Sequence, residues 1–299
     1  MSQHAKPSVR SSGACLVILG TLLVVPGFAA APTAPGPAGG PAGAATPSKP
    51  SKPTPHLPDG AVDLGGNGSW SLGWITNYER QLLDTPQGVE NVPFLPWSKA
   101  MYDYVQKTQN AYDPEGFCLP PGGPRAFGTP YPAEFLQQKD RIIVIFEGGA
   151  HVWREIHMDG RAHPTGSKLN PTYFGHSVGH WEGDALVIDT VGYNERSWLG
   201  FNGYFHTDEL HTVERITRPN YDTLRYEVTV DDPGAYSKPW RMGWNIRWSE
   251  GQELQEYICQ EENQFLIDLK DDFGQPFFQA LFDELGETHT ELRDRRAAD

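Results

Sequence analysis

The chain has 299 residues, with 38 Asp and Glu against 24 Lys and Arg and a formal net charge of −14. That acidic balance repels phosphate backbones and anionic lipid surfaces, so nucleic acid is the least favoured partner class. The length and apolar content suffice for one domain with a sizeable core.

Lys6 and Arg10 precede an apolar run from Ala14 to Phe28 that ends among the small residues Gly27, Ala29, Ala30 and Ala31. The run is too short for a comfortable membrane span, and Gly27 and Ala29 suit a cleavage site. Residues 1–29 therefore read as a secretory signal peptide rather than an uncleaved anchor, with no stable membrane insertion after its removal and a periplasmic or extracellular destination. Residues 30–59, almost wholly Ala, Pro, Gly, Ser, Thr and Lys, cannot bury apolar surface and read as a disordered linker. Cys15 leaves with the signal. An oxidising compartment makes a disulfide between Cys118 and Cys259 the expectation, with free thiols or a Cys-based metal site as alternatives.

Residues 60–140 read as an N-terminal arm. Trp70 and Trp74 lie among glycines, and Pro96-Trp97 opens a helix to about Gln109 with Trp97, Ala100, Met101, Tyr104 and Val105 at helical spacing. Phe117 to Arg125 contains three prolines and is expected to form a rigid covering loop. From Arg141 the pattern switches to short strands separated by turn residues: Ile142 to Glu147, Val152 to Met158, Ser177 to Glu182, Ala185 to Val191, Glu209 to Thr217, Thr223 to Val230, Trp240 to Trp248 and Leu254 to Gln260. The fold class is mainly β. Residues 141–263 are expected to form an antiparallel up-and-down, lipocalin-like barrel, because closure removes both unpaired edges; a strongly bent open sheet is the alternative. Residues 264–299 hold an amphipathic helix over Pro276 to Leu292 and a tail, and residues 60–299 count as one domain.

The stretch Gly175 to Thr190 places His176 and His180 four residues apart, before a Trp181-Glu182-Gly183-Asp184 corner. Glycines and the alternation of Leu186 to Thr190 argue for strand, where four residues span about 13 Å, so the two histidines cannot chelate one ion unaided. A hairpin turn at Gly183-Asp184 sets Glu182 opposite Ala185, Trp181 opposite Leu186, His180 opposite Val187 and Val178 opposite Asp189. Asp189 then shares a face with, and lies between, His176 and His180, and these three form the candidate catalytic group; a carboxylate beside imidazoles sets their tautomers and raises their basicity. A closed structural hydrogen bond inside the barrel is the competing account. A metal site assembled across strands from His176, His180, His206 and His211 is a further alternative, and the leading expectation is no cofactor and no metal.

The candidate ligand-binding residues are Trp153, Arg161, Trp198, His206, His211 and Trp244. Each has a structural alternative. Arg161 can anchor its own turn through Asp159 or Glu155, His206 can be an ordinary loop residue, and Trp240, Trp244 and Trp248 can be core. The sequence lacks G-x-S-x-G, H-E-x-x-H, C-x-x-C and glycine-rich phosphate loops.

Cys118 to Arg125, Met158 to Pro164, Gly175 to Asp184 with Leu186 to Thr190, and Asp232-Pro233 together resemble a large group of secreted bacterial proteins. The resemblance spans about Asp63 to Asn263 and implies an exported bacterial protein, with no catalytic residue set attached. Three functional readings follow: a barrel binding a small, largely apolar or aromatic molecule in its interior; a cofactor-independent lyase, isomerase or hydrolase using the His/Asp group; and an interaction module using exposed tryptophans.

Overall fold

The computed structural model describes residues 52–149 and 152–260. The expected signal peptide, most of the linker and the expected C-terminal helix lie outside the described residues. Nine strands form a closed barrel in chain order: β1 (Gly68–Ser71), β2 (Ala133–Gln137), β3 (Arg141–Phe146), β4 (Trp153–His157), β5 (His176–Glu182), β6 (Ala185–Val191), β7 (His211–Asn220), β8 (Thr223–Asp231) and β9 (Trp240–Glu250). The mainly-β class and the closed barrel are as expected, and the bent open sheet is set aside.

Three features depart from the expected meander. The arm contributes β1 and β2, so the barrel is not confined to residues 141–263. Leu254 to Gln260 forms no strand; β9 pairs instead with β8 and closes on β1 from Gly68↔Glu250 to Ser71↔Arg247. Finally, β4 and β5 run parallel, paired only through Ile156↔Ser177 and His157↔Val178, while every other neighbouring pair is antiparallel. A parallel pair needs a crossover, which residues 158–175 supply. Gly179 permits the close approach there, since a Cβ would come within 2.8 Å of Met158 Sδ and Ile156 Cγ2.

Period-two alternation sets the barrel interior. β7 buries Thr212, Glu214, Ile216 and Arg218; β8 buries Leu224, Tyr226, Val228 and Val230; β9 buries Trp240, Met242, Trp244, Ile246 and Trp248. Each large apolar side chain taken fully from water contributes about 1.5–3 kcal/mol. The expected covering loop is instead two 3-10 turns, Pro114–Phe117 and Gly123–Gly128, the second wholly buried. It carries Phe127, which stacks on Tyr226 at 4.7 Å, while Trp244 donates to the Phe127 carbonyl at 3.1 Å. Tyr78 stacks between Trp244 and Tyr204. Aromatic rings thus fill the barrel, and the lipocalin analogy goes no further than closure of the sheet.

The expected helix is α1 (Pro96–Lys107). Pro96 takes the first helical position, where its missing N–H has no intrahelical role. Met101 and Val105 pack on Trp198 and Phe205 in a second apolar cluster, and Ser98 Oγ donates to the Ala235 carbonyl. Cys118 and Cys259 are disulfide-bonded with their Cα atoms 5.5 Å apart, tying the segment after β9 to the arm. No helix among the described residues is long and apolar enough to cross a membrane.

Candidate functional site

The hairpin at Gly183-Asp184 forms in the expected register, with Glu182↔Ala185, Trp181↔Leu186, His180↔Val187 and Val178↔Asp189. Gly183 takes φ +59°, which a turn of this kind requires. Asp189 shares the face of His176 and His180, and Leu186 and Ile188 occupy the opposite one. The histidine face is the outside of the barrel; Ser177, Leu186, Ile188 and Thr190 face in.

On the inner face a fully buried ion pair laces the weakly paired β4–β5 seam. Arg154 binds both Glu214 oxygens and donates to Ser177 Oγ at 3.0 Å and Thr190 Oγ1 at 2.9 Å, while Tyr226 donates to Glu214 Oε1 at 2.7 Å. Arg154 is 1% exposed and Glu214 is fully buried. One side chain of β4 is thereby fastened to β5, β6 and β7, which compensates for the two-residue main-chain pairing.

On the outer face, one residue away on the same strands, lies a histidine cluster. His163 Nε2 sits 2.9 Å from Asp189 Oδ1 and His211 Nε2 sits 2.9 Å from Asp189 Oδ2. His163 Nδ1 is 2.8 Å from His176 Nδ1, and the His157 ring centroid is 5.0 Å from that of His176. A carboxylate only accepts, so His163 must carry its proton on Nε2. With that one ring proton, His163 presents an acceptor at Nδ1, and the 2.8 Å contact then has His176 donating from its own Nδ1. The remaining nitrogen, His176 Nε2, keeps its lone pair. Partial burial, and then the neighbouring His157 and His163, hold the His176 pKa below the ordinary 6.5, which favours this neutral form.

His176 opens on a cleft of about 380 Å³ in the barrel wall, lined also by Pro120, Trp153, His157, Tyr173 and Phe174. Arg154 and Ser177, whose side chains belong to the inner network, are also among its lining residues. Trp153 is 60% exposed there. The arrangement offers a neutral base, a supporting carboxylate and aromatic surface for a flat molecule.

The expected site residues fall into three groups. His176, Asp189, His211 and Trp153 belong to this outer cluster and its cleft. His180 shares the face but pairs with Glu182, at 3.3 Å, and does not touch Asp189; Asp189 bridges His163 and His211 rather than His176 and His180. The remaining candidates do not line this cleft. Arg161 pairs with Asp159 at 2.5 Å and holds that carboxyl at about 2; Trp198 is buried against α1; Trp244 is interior; and His206 is 6% exposed, with Nδ1 at 3.1 Å from the Thr207 carbonyl. Sequence reasoning passed over His157 and His163. The alternation of Trp153, Glu155 and His157 was the available signal for the first, whereas His163 is placed by the crossover. Among the described residues no three His, Cys, Asp or Glu side chains converge to hold a metal ion, and His176, His180, His206 and His211 do not assemble as one site.

Comparison of the sequence with protein-family models, curated proteins and solved structures yields no match.

Proposed function

We propose that this is an exported barrel protein that binds a small, flat, partly apolar molecule in the wall cleft rather than along the barrel axis, and that His176 acts on it as a general base. The observation that carries the reading is the Asp189–His163–His176 chain of contacts, which ends on a cleft-lining residue. Asp189 orients His163, His163 fixes the His176 tautomer, and Trp153, Tyr173 and Phe174 supply the apolar contact. Export is supported by the disulfide, which suits an oxidising compartment, and by the apolar leader.

A generic probe tests the proton-transfer step without the natural substrate. 5-Nitrobenzisoxazole is flat and aromatic, and its ring opens when a base removes one C–H proton as the N–O bond breaks. The protein is expected to accelerate this opening, and His176→Ala to lose about 10²-fold or more of the acceleration, within the range of general-base contributions. Binding of the probe with no acceleration, or equal acceleration by His176→Ala, contradicts the base assignment.

A further inference from the structure

His176 shares its cleft with a second imidazole, His157. Period-two alternation puts Trp153, Glu155 and His157 on the outer face of β4, and all three line the cleft. The His157 side chain is 17% exposed, so a molecule in the cleft can touch it. Its ring centroid lies 5.0 Å from that of His176. The charges around the two rings differ. Glu155 Oε1 stands 3.7 Å from His157 Nδ1, so a proton on His157 has a carboxylate as counter-charge, one that Arg141 of β3 also meets at 3.3 Å. His176 instead faces His157, His163 and the Arg161 charge from the crossover, and Asp189 is held by His163 and His211. One ring has a carboxylate beside its proton and the other has imidazoles, the arrangement expected of an acid and a base that serve one site.

The spacing of the rings selects the substrate class. In a carbonyl compound the α-carbon and the oxygen are about 2.4 Å apart by ordinary C–C and C=O bond lengths. Rings with centroids 5.0 Å apart can reach one of these atoms each at hydrogen-bond distance. An α-C–H is too weak an acid for imidazole alone, and yields when the oxygen receives a proton in the same step. Covalent attack is less well provided for, because Ser177 Oγ is engaged with Arg154 and Thr190, and Thr172 Oγ1 donates to the Gly175 carbonyl.

We infer that His157 is a second catalytic residue, the general acid opposite His176, and that the cleft enolises a flat ketone; this rests on the reading of His176 as the base. His176 takes the α-proton, the C–H electron pair becomes the C=C bond, and the carbonyl π pair moves to the oxygen, which takes the His157 proton. His176 ends protonated and His157 neutral, and the reverse step restores both while returning a solvent-exchanged hydrogen to carbon. The test is hydrogen–deuterium exchange at the α-carbon of 1-indanone, a flat aromatic ketone, followed by proton NMR in D2O beside the opening of 5-nitrobenzisoxazole, which needs a base but no acid. The protein is expected to accelerate both. Benzisoxazole opening should rise with pH and level off, whereas ketone exchange should give a bell, rising as His176 loses its proton and falling as His157 loses its own. His157→Gln should slow the exchange by about 10²-fold and remove the falling limb. Benzisoxazole opening without ketone exchange, or exchange that stays level at high pH in the wild type, would overturn the acid role and leave the base standing. Exchange in His157→Gln with the wild-type rate and falling limb would overturn it equally. Absence of both reactions in the wild-type protein would overturn the base reading and this role with it.

Discussion

The two faces of one stretch of barrel wall carry opposite kinds of polar cluster. His176 and Asp189 point outward, and their sequence neighbours Ser177 and Thr190 point inward to Arg154 and Glu214. Inside, every oxygen and nitrogen of the Arg154–Glu214 pair has a partner, and neither side chain is more than 1% exposed. Outside, the chain of hydrogen bonds starts at a carboxylate and stops at His176, which lines a cleft. A closed network holds strands together, whereas an open-ended one can pass a proton to something else. On the proposed function, the difference assigns stability to one face and chemistry to the other.

The largest expected effect breaks the inner face. Glu214→Ala leaves a buried, unpaired Arg154, and should destabilise the protein by about 3–5 kcal/mol in urea unfolding. Asp189→Asn should reverse the emphasis. Its half-exposed pairs contribute about 1 kcal/mol or less, but an amide can donate where the carboxylate only accepts, so the His163 tautomer is released. Acceleration of 5-nitrobenzisoxazole opening should fall by about 10²-fold while the urea midpoint barely moves.

How far the sequence foretold this contrast depends on which contacts are local. The Gly183-Asp184 turn, adjacent in sequence, specified the register that puts Asp189 on the His176 face, and α1 and the strands β3 to β9 follow from periodicity and turn residues. β1 has only four residues, and the glycines and prolines that flank β1 and β2 hid both as strands. The parallel β4–β5 pair was invisible because its partners are brought together by residues 158–175 rather than by a turn, and that crossover also delivers His163 to Asp189. Which face is inside was not legible for the same reason. Alternation fixes that Asp189 and Leu186 lie on opposite faces, but only the core built by Tyr226, Trp244 and Phe127 on distant segments decides which one is buried.

Acidification separates the faces more gently. Burial and the neighbouring imidazoles lower the His176 pKa in the folded protein, so the unfolded chain holds that proton more tightly. The stability contributed by neutral His176 is therefore complete above about 6.5 and declines as pH falls from there through the lowered folded value. Urea midpoints measured across that window should drop for the wild type and drop less for His176→Ala. The base function should follow the same titration, full above it and lost below. The smallest effect on stability is expected at Arg161→Ala, whose surface pair with Asp159 is bonded to neither network: the urea midpoint should barely move, while loss of the nearby positive charge should let the His176 pKa rise toward its ordinary value and shift the pH profile of probe turnover with it.

The most direct measurement is the tautomeric state of the cluster, read from long-range nitrogen–proton correlations of the imidazole rings in the folded protein near pH 7. The account predicts His163 and His211 protonated on Nε2, and His176 neutral with its proton on Nδ1 and Nε2 bare. A proton on His176 Nε2, or a cationic His176 at that pH, would contradict the assignment of His176 as the base.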